Sequence, residues 1–133
     1  MTSNEPPFNW GVPWEDAYGF DQAQQVGDTV YISGQLPHDD KGLVGEGDLG
    51  KQLESTFEHL DGVLEHFGAT RRQVVQTTVI LVDLRENFDA AAAAHRAYFA
   101  GRRPTSTTFG VVDLAIPGQL VEISAVVRLD LPR

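Results

Sequence analysis

Leu120-Val121-Glu122-Ile123-Ser124-Ala125-Val126-Val127-Arg128-Leu129 alternates strictly, and its reading decides the fold. Val121, Ile123, Ala125, Val127 and Leu129 fall on one face of an extended chain; Glu122, Ser124, Val126, Arg128 and, one residue on, Asp130 fall on the other. The second face is mixed, not simply hydrophilic. Val74–Val82 is rich in β-branched residues and reads as a further strand. It is apolar on both faces, at Val79 and Leu81 on one and Ile80 and Val82 on the other. A sheet with helices on one side, yet apolar on both, needs a second cover, and self-association is the simplest one.

Working outward from these strands, the period changes at Asp48. Leu49, Leu53, Phe57, Leu60, Leu64 and Phe67 recur at spacings of three and four, which predicts a helix stopped by Gly68. Asn87 is a candidate N-cap for a second helix through Ala90–Ala94, with Phe88, Ala91, His95 and Tyr98 roughly in line and Gly101 and Pro104 closing it. Upstream, Val26-Gly27-Asp28-Thr29 has the composition of a hairpin turn between strands Phe20–Gln25 and Thr29–Ser33. Pro37 to Gly47 reads as a loop, and Met1 to about Trp14 as an irregular lead-in. Strands Thr105–Val112 and Leu120–Leu129 close the chain. The expected order is ββαβαββ, an α+β fold with both helices on one sheet face, built as a single domain over residues 1–133.

Composition narrows the function classes. The net charge is −9, and the only tight basic pairs are Arg71-Arg72 and Arg102-Arg103. A polyanion or an anionic membrane is met by clustered basic surface, so no nucleic-acid or membrane partner is expected. No apolar run approaches a membrane span, and Met1 to Pro7 lacks the pattern of a secretory signal. The absence of cysteine excludes disulfides and thiolate chemistry and fits a cytoplasmic address.

Local motifs for chemistry are sparse. Gly45-Glu46-Gly47-Asp48-Leu49-Gly50 matches a Gly-x-Gly-x-x-Gly pattern, but Glu46 and Asp48 would repel phosphate; it reads as a loop entering a helix. His59 and His66 lie seven residues apart on one helix, too far for one ion, and His38 and His95 add no ligand set, so no metal is expected. His95 reads as a partly buried, satisfied histidine. Ser33 has no base near it in sequence and reads as a strand end rather than a nucleophile. Glu122 leaves two readings open: a solvent-facing edge carboxylate, or a buried one that must be paired or used.

Four segments together resemble the reactive-intermediate deaminase family (Rid, or YjgF-like): Val30–Pro37, Thr77–Leu84 with Phe88, Arg103–Thr108 and Leu120–Ala125, in register over about Tyr18 to Leu129. The resemblance implies a chorismate-mutase-like α+β fold assembled as a homotrimer, with small-molecule sites between subunits. Deaminases of the family hydrolyse imines and enamines to the keto compound and ammonia without a cofactor. Carried over by position, the glutamate that helps position water is Glu122, and the substrate-binding set is Phe20, Ser33, Gly34, Ser106 and Thr108. Phe20 stands where the family has a tyrosine, with Tyr18 two residues earlier. Ser106 stands where the deaminases have the arginine that grips the substrate carboxylate, so the chain resembles an arginine-lacking branch with weak activity on 2-imino acids. Arg102 and Arg103 lie just before Pro104. A hydrolase in which Glu122, Ser33 and Ser106 line one cleft between subunits is the leading expectation; a non-catalytic ligand-binding or scaffolding trimer is the alternative, and a ribonuclease role is disfavoured by charge.

Overall fold

The computed structural model describes residues 6–133 of the chain. Five strands form the main sheet: β1 (Ala23–Val26), β2 (Thr29–Gln35), β5 (Val74–Val82), β6 (Thr105–Val111) and β7 (Val121–Arg128). Their spatial order is β1-β2-β7-β5-β6; β5 and β6 are parallel and every other pair is antiparallel. Helices α2 (Leu49–His66) and α3 (Leu84–Tyr98) cover one face.

The alternation of β7 sorts its side chains as the sequence requires. Val121, Ile123, Ala125 and Val127 are buried, and they meet Leu53, Phe57, Leu60, Val63 and Leu64 of α2 in the apolar core. Each such side chain gains roughly 1.5–3 kcal/mol by leaving water. The opposite face has no second layer from the described residues. Tyr31 pairs with Val126, and Ile80 pairs with both Glu122 and Phe109, which sets an apolar stripe in the open. Tyr31 is 53% exposed and Phe109 44%.

Three local expectations are corrected. The lead-in is not irregular to Trp14, for a short helix, α1, spans Pro13–Tyr18; residues 1–5 of the lead-in lie outside the described residues. Pro13 occupies its first turn, and Glu15 reaches back so that its carboxylate accepts the amides of Trp10, Gly11 and Val12 at 2.7, 3.0 and 3.1 Å. Gly19, at φ 88°, ends it. The Pro37–Gly47 loop contains a small ladder of β3 (His38–Asp39) and β4 (Gly42–Leu43). Finally, α3 is capped by Asp83, in the left-handed conformation at φ 52°, rather than by Asn87. Asn87 lies inside the helix, where its Nδ2 donates to the Val82 carbonyl at 2.7 Å.

The segment resembling a dinucleotide fingerprint is the N-terminal approach to α2. Asp48 is its N-cap, accepting from the Lys51 amide. No nucleotide cradle is formed: the buried Gln52 amide fills the space, donating to the carbonyls of Gly45 and Gly118 and accepting from the Leu120 amide. These bonds fix the loop before β7 beside the site described next.

Candidate active site

A pocket opens on the uncovered side of the sheet, with Glu122 in its floor beside Ser33 and Gly34. Its position follows from an irregularity in β2. The β2–β7 register shifts between Ile32 and Gln35, so Ser33 and Gly34 bulge from the ladder. Two hydrogen bonds pin the bulge: the Ser33 amide donates to the Gln22 carbonyl at 2.8 Å, and Ser33 Oγ to the Asp21 carbonyl at 2.7 Å. Gly34 then passes directly under the Glu122 side chain. A β-carbon there would lie 2.4 Å from Glu122 Oε2 and 2.6 Å from its Cγ.

Glu122 is half-buried, and burial pushes its carboxyl above the usual carboxylate range. No hydrogen bond or ion pair from the described residues draws it back. The rest of the lining is apolar: Trp14 and Tyr18 from α1, Phe20, Leu36, and Ala115 and Ile116 of the loop before β7. Of the two readings left open for Glu122, the edge position does not hold: β7 lies between β2 and β5, and the carboxylate is half-buried. A carboxylate facing an apolar cavity with no partner among the described residues is an expensive arrangement, of the kind that proton-transfer sites use.

Of the remaining positions singled out in the sequence, Phe20, Ser33 and Gly34 come together with Glu122, and Ser106 and Thr108 do not. Ser106 pairs with Thr77 and Thr108 with Val79, both of which point to the helix side, whereas Ile80, the partner of Glu122, points away. With a period of two, these sets must occupy opposite faces of the sheet. Within one protomer, then, Ser106 and Thr108 lie across the sheet from Ser33 and Glu122, and only a cleft between subunits of the kind the resemblance implies could join the two sets. Ser106 and Thr108 line a second groove, between β6 and α3, with His95, Arg96, Arg103 and Phe88.

In that groove Thr77 Oγ1 lies 2.8 Å from Ser106 Oγ and 2.9 Å from His95 Nε2, a three-membered relay. Thr77 donates to Ser106, which leaves its oxygen to accept from His95 Nε2, and burial lowers the pKa of that ring. Arg103 borders the groove; Arg102 donates to the Val74 carbonyl at 3.2 Å. Sequence reasoning missed Trp14, Leu36 and Ile116 around Glu122, and the Thr77–His95 partnership. The density of Phe8, Trp10 and Trp14 in the lead-in was the available signal for the first group.

A third cluster lies beyond α1. His38 and His59 stack with ring centroids 4.1 Å apart, and Trp10 and Trp14 meet them edge-on. Burial, and then the neighbouring His59, lower His38 to about 4. Among the described residues, no group of three histidine or carboxylate side chains is arranged to hold a metal ion, and no helix is long and apolar enough to cross a membrane.

Fold and site together define a YjgF-like α+β protein with a carboxylate-floored pocket on its open sheet face. The family model described as endoribonuclease L-PSP matches residues 14–129, and the chain belongs to that family, the Rid or YjgF-like proteins. It is 33% identical over 109 residues to the 2-iminobutanoate/2-iminopropanoate deaminase of Mus musculus, covering 80% of this chain and 78% of that one. A RutC family protein of Pyrococcus abyssi is 31% identical over 108 residues, covering 80% and 84%. Among solved structures, a member of the YjgF/YER057c/UK114 family from Mycobacterium tuberculosis superposes with a TM-score of 0.83 at 26% identity, covering 95% of this chain and 99% of that one.

Proposed function

We propose that the protein is a cofactor-independent hydrolase of imines or enamines, working in clefts between the subunits of a homotrimer. The observation that carries this reading is Glu122, a half-buried carboxylate in the floor of an apolar pocket, without a partner among the described residues. In its ionised form Glu122 takes a proton from water as the oxygen attacks the imine carbon. The resulting carbinolamine then collapses: Glu122 returns the proton to nitrogen, and as the C–N bond breaks and ammonia leaves, the freed carboxylate takes up the hydroxyl proton and the carbonyl forms. An enamine first accepts a proton on carbon from the protonated acid. The deaminase name carried by the mouse relative supports the reaction class.

The trimer supplies what one chain lacks. The apolar stripe of Tyr31, Ile80 and Phe109 calls for a cover, and the groove holding Ser106 and Thr108 is on the wrong face to serve its own Glu122. Apposing the groove of one protomer to the pocket of the next reunites Phe20, Ser33, Gly34 and Glu122 with a neighbour's Ser106 and Thr108. Ser106 cannot replace a bidentate guanidinium, so simple 2-imino acids are poor substrates in this reading. Arg103, beside Pro104, and Arg96 of α3 are the arginines bordering the groove where an anion would be met, whereas Arg102 is engaged with Val74. The composition fits a cytoplasmic setting.

Steady-state hydrolysis of imines generated in situ by an amine or amino-acid oxidase tests the proposal. Glu122→Gln keeps the shape and removes the base; turnover should fall at least about a hundredfold, the usual weight of general acid–base catalysis. The alternative, a ligand-binding trimer without catalysis, is favoured by Phe20 and Ser106 at the tyrosine and arginine positions. It requires that neither wild type nor variant accelerate hydrolysis. An RNA substrate sits poorly with a net charge of −9 and a carboxylate floor.

A further inference from the structure

Resting on the reading of Glu122 as the proton-transfer group, we infer that this pocket selects substrates carrying an aromatic ring, held by α1 with the reacting nitrogen turned towards Glu122. Among the described residues, Glu122 is the single charged group in the lining, and no lysine or arginine joins it. Around it stand three aromatic side chains, Trp14, Tyr18 and Phe20, backed by Leu36 and Ile116. The cavity measures about 610 Å³, within the range of sites for drug-sized ligands and far larger than an imine of two or three carbons.

The aromatic wall is held in place. Trp14 meets His38 edge-on at 5.2 Å, and α1 is fixed by the three amides that Glu15 accepts. Tyr18 stands edge-to-face with Phe20, with centroids 5.9 Å apart, although it is 86% exposed. Tyr18 thus extends the aromatic wall of Trp14 and Phe20 to the rim of the pocket, where the face of a bound ring can lie against it. A flat ring bearing a protonated imine matches both wall and floor: the ring covers the aromatic wall, and the N–H faces the carboxylate. A small aliphatic substrate would leave the wall wet and gain only the contact to Glu122.

The test compares aldimines released by an amine oxidase from benzylamine and from ethylamine, alongside calorimetric binding of benzamidine and acetamidine as stable mimics of the two cations. The aromatic member of each pair should be favoured by about tenfold or more, as burial of a phenyl-sized surface implies. Trp14→Ala should collapse that ratio. Tyr18→Ala, at an exposed position that the core does not need, should reduce it even if the Trp14 variant folds poorly. Equal kcat/KM for the two aldimines, with turnover still dependent on Glu122, overturns the aromatic selection and leaves the hydrolase reading standing. Tight, Tyr18-dependent benzamidine binding without any turnover does the reverse. Failure to prefer benzamidine over acetamidine, together with equal or absent turnover, overturns the inference.

Discussion

Gly34 and Glu122 occupy one another's space: the bulged glycine leaves room for a glutamate side chain that a single methyl group would displace, with a β-carbon coming to 2.4 Å from Oε2. Because Cγ and Cδ of Glu122 would also be within 2.6 Å, the whole side chain would have to swing rather than only its tip. Gly34→Ala should therefore abolish catalysis nearly as completely as Glu122→Gln. The accompanying loss of stability should be about 1–3 kcal/mol, the usual cost of overpacking. Parallel activity assays and urea melts check this, and a Gly34→Ala enzyme with wild-type turnover would contradict it.

Burial raises the pKa of Glu122, so the ionised base accumulates only above the ordinary carboxylate range. For hydrolysis, kcat/KM should rise with pH on the acid side and level off at a midpoint above that of an exposed glutamate, and Glu122→Gln should lose this limb. The same burial penalises the charged form of the native state. Glu122→Gln should accordingly leave the melting temperature at neutral pH unchanged or raise it, by up to a few degrees.

His38 imposes the opposite trend on stability. Its folded pKa of about 4 is below the ordinary 6.5, because the ring is buried and stacked on His59. Between pH 6.5 and 4 the unfolded chain binds a proton that the native state refuses, so stability is intact above 6.5 and drains away towards 4. His95, also lowered by burial, adds to the same loss. Thermal melts across this window should show a falling midpoint, and His38→Phe, which keeps a ring in the stack, should flatten the curve.

Ser106→Arg should raise turnover of 2-iminopropanoate, by roughly tenfold or more if the new guanidinium grips the carboxylate. Thr77 keeps its bond to His95 in that variant, so the fold should tolerate it. Arg103→Ala is the companion experiment. If wild type already handles 2-imino acids through Arg103, this variant alone should raise KM for them while sparing aldimines that lack a carboxylate.

Ile80→Asp places a charge in the middle of the open apolar stripe, beside Glu122 and Phe109. Light scattering should report a trimer for wild type and smaller species for this variant. Retained secondary structure by circular dichroism would separate loss of assembly from loss of fold. A wild-type monomer at micromolar concentration would count against the assembled cleft.

Much of this was legible in the chain. The alternation from Val121 to Val127 gave both the buried face and the outward direction of Glu122, since a strand has only two sides. The periodic stripe from Leu49 to Leu64 gave α2 because a long amphipathic helix needs little else to declare itself. What escaped was pairing. Nothing in Thr105–Val111 states that it runs parallel to β5 with Ser106 beside Thr77, and that register puts Ser106 behind the sheet from Glu122. The helix α1 was missed for a different reason. Its six residues carry too short a pattern for periodicity, although Pro13 at its start, Glu15 two residues later and Gly19 at its end are the capping chemistry of a helix.

The pocket has two parts that are built by different means. Its floor is set by ladder hydrogen bonds between β2 and β7, and any change there propagates through the sheet. The wall is a short N-terminal segment anchored by one glutamate and a few ring contacts, among them Trp10, whose indole sits against Gly62 of α2 and donates to Gln35 at 2.9 Å. Such a segment can be exchanged for another of similar length without touching the reacting group. The tastes of related proteins can thus diverge by substitution at the chain's front end while the chemistry beneath stays constant, and grafting residues 10–20 between relatives is a direct route to retuning it.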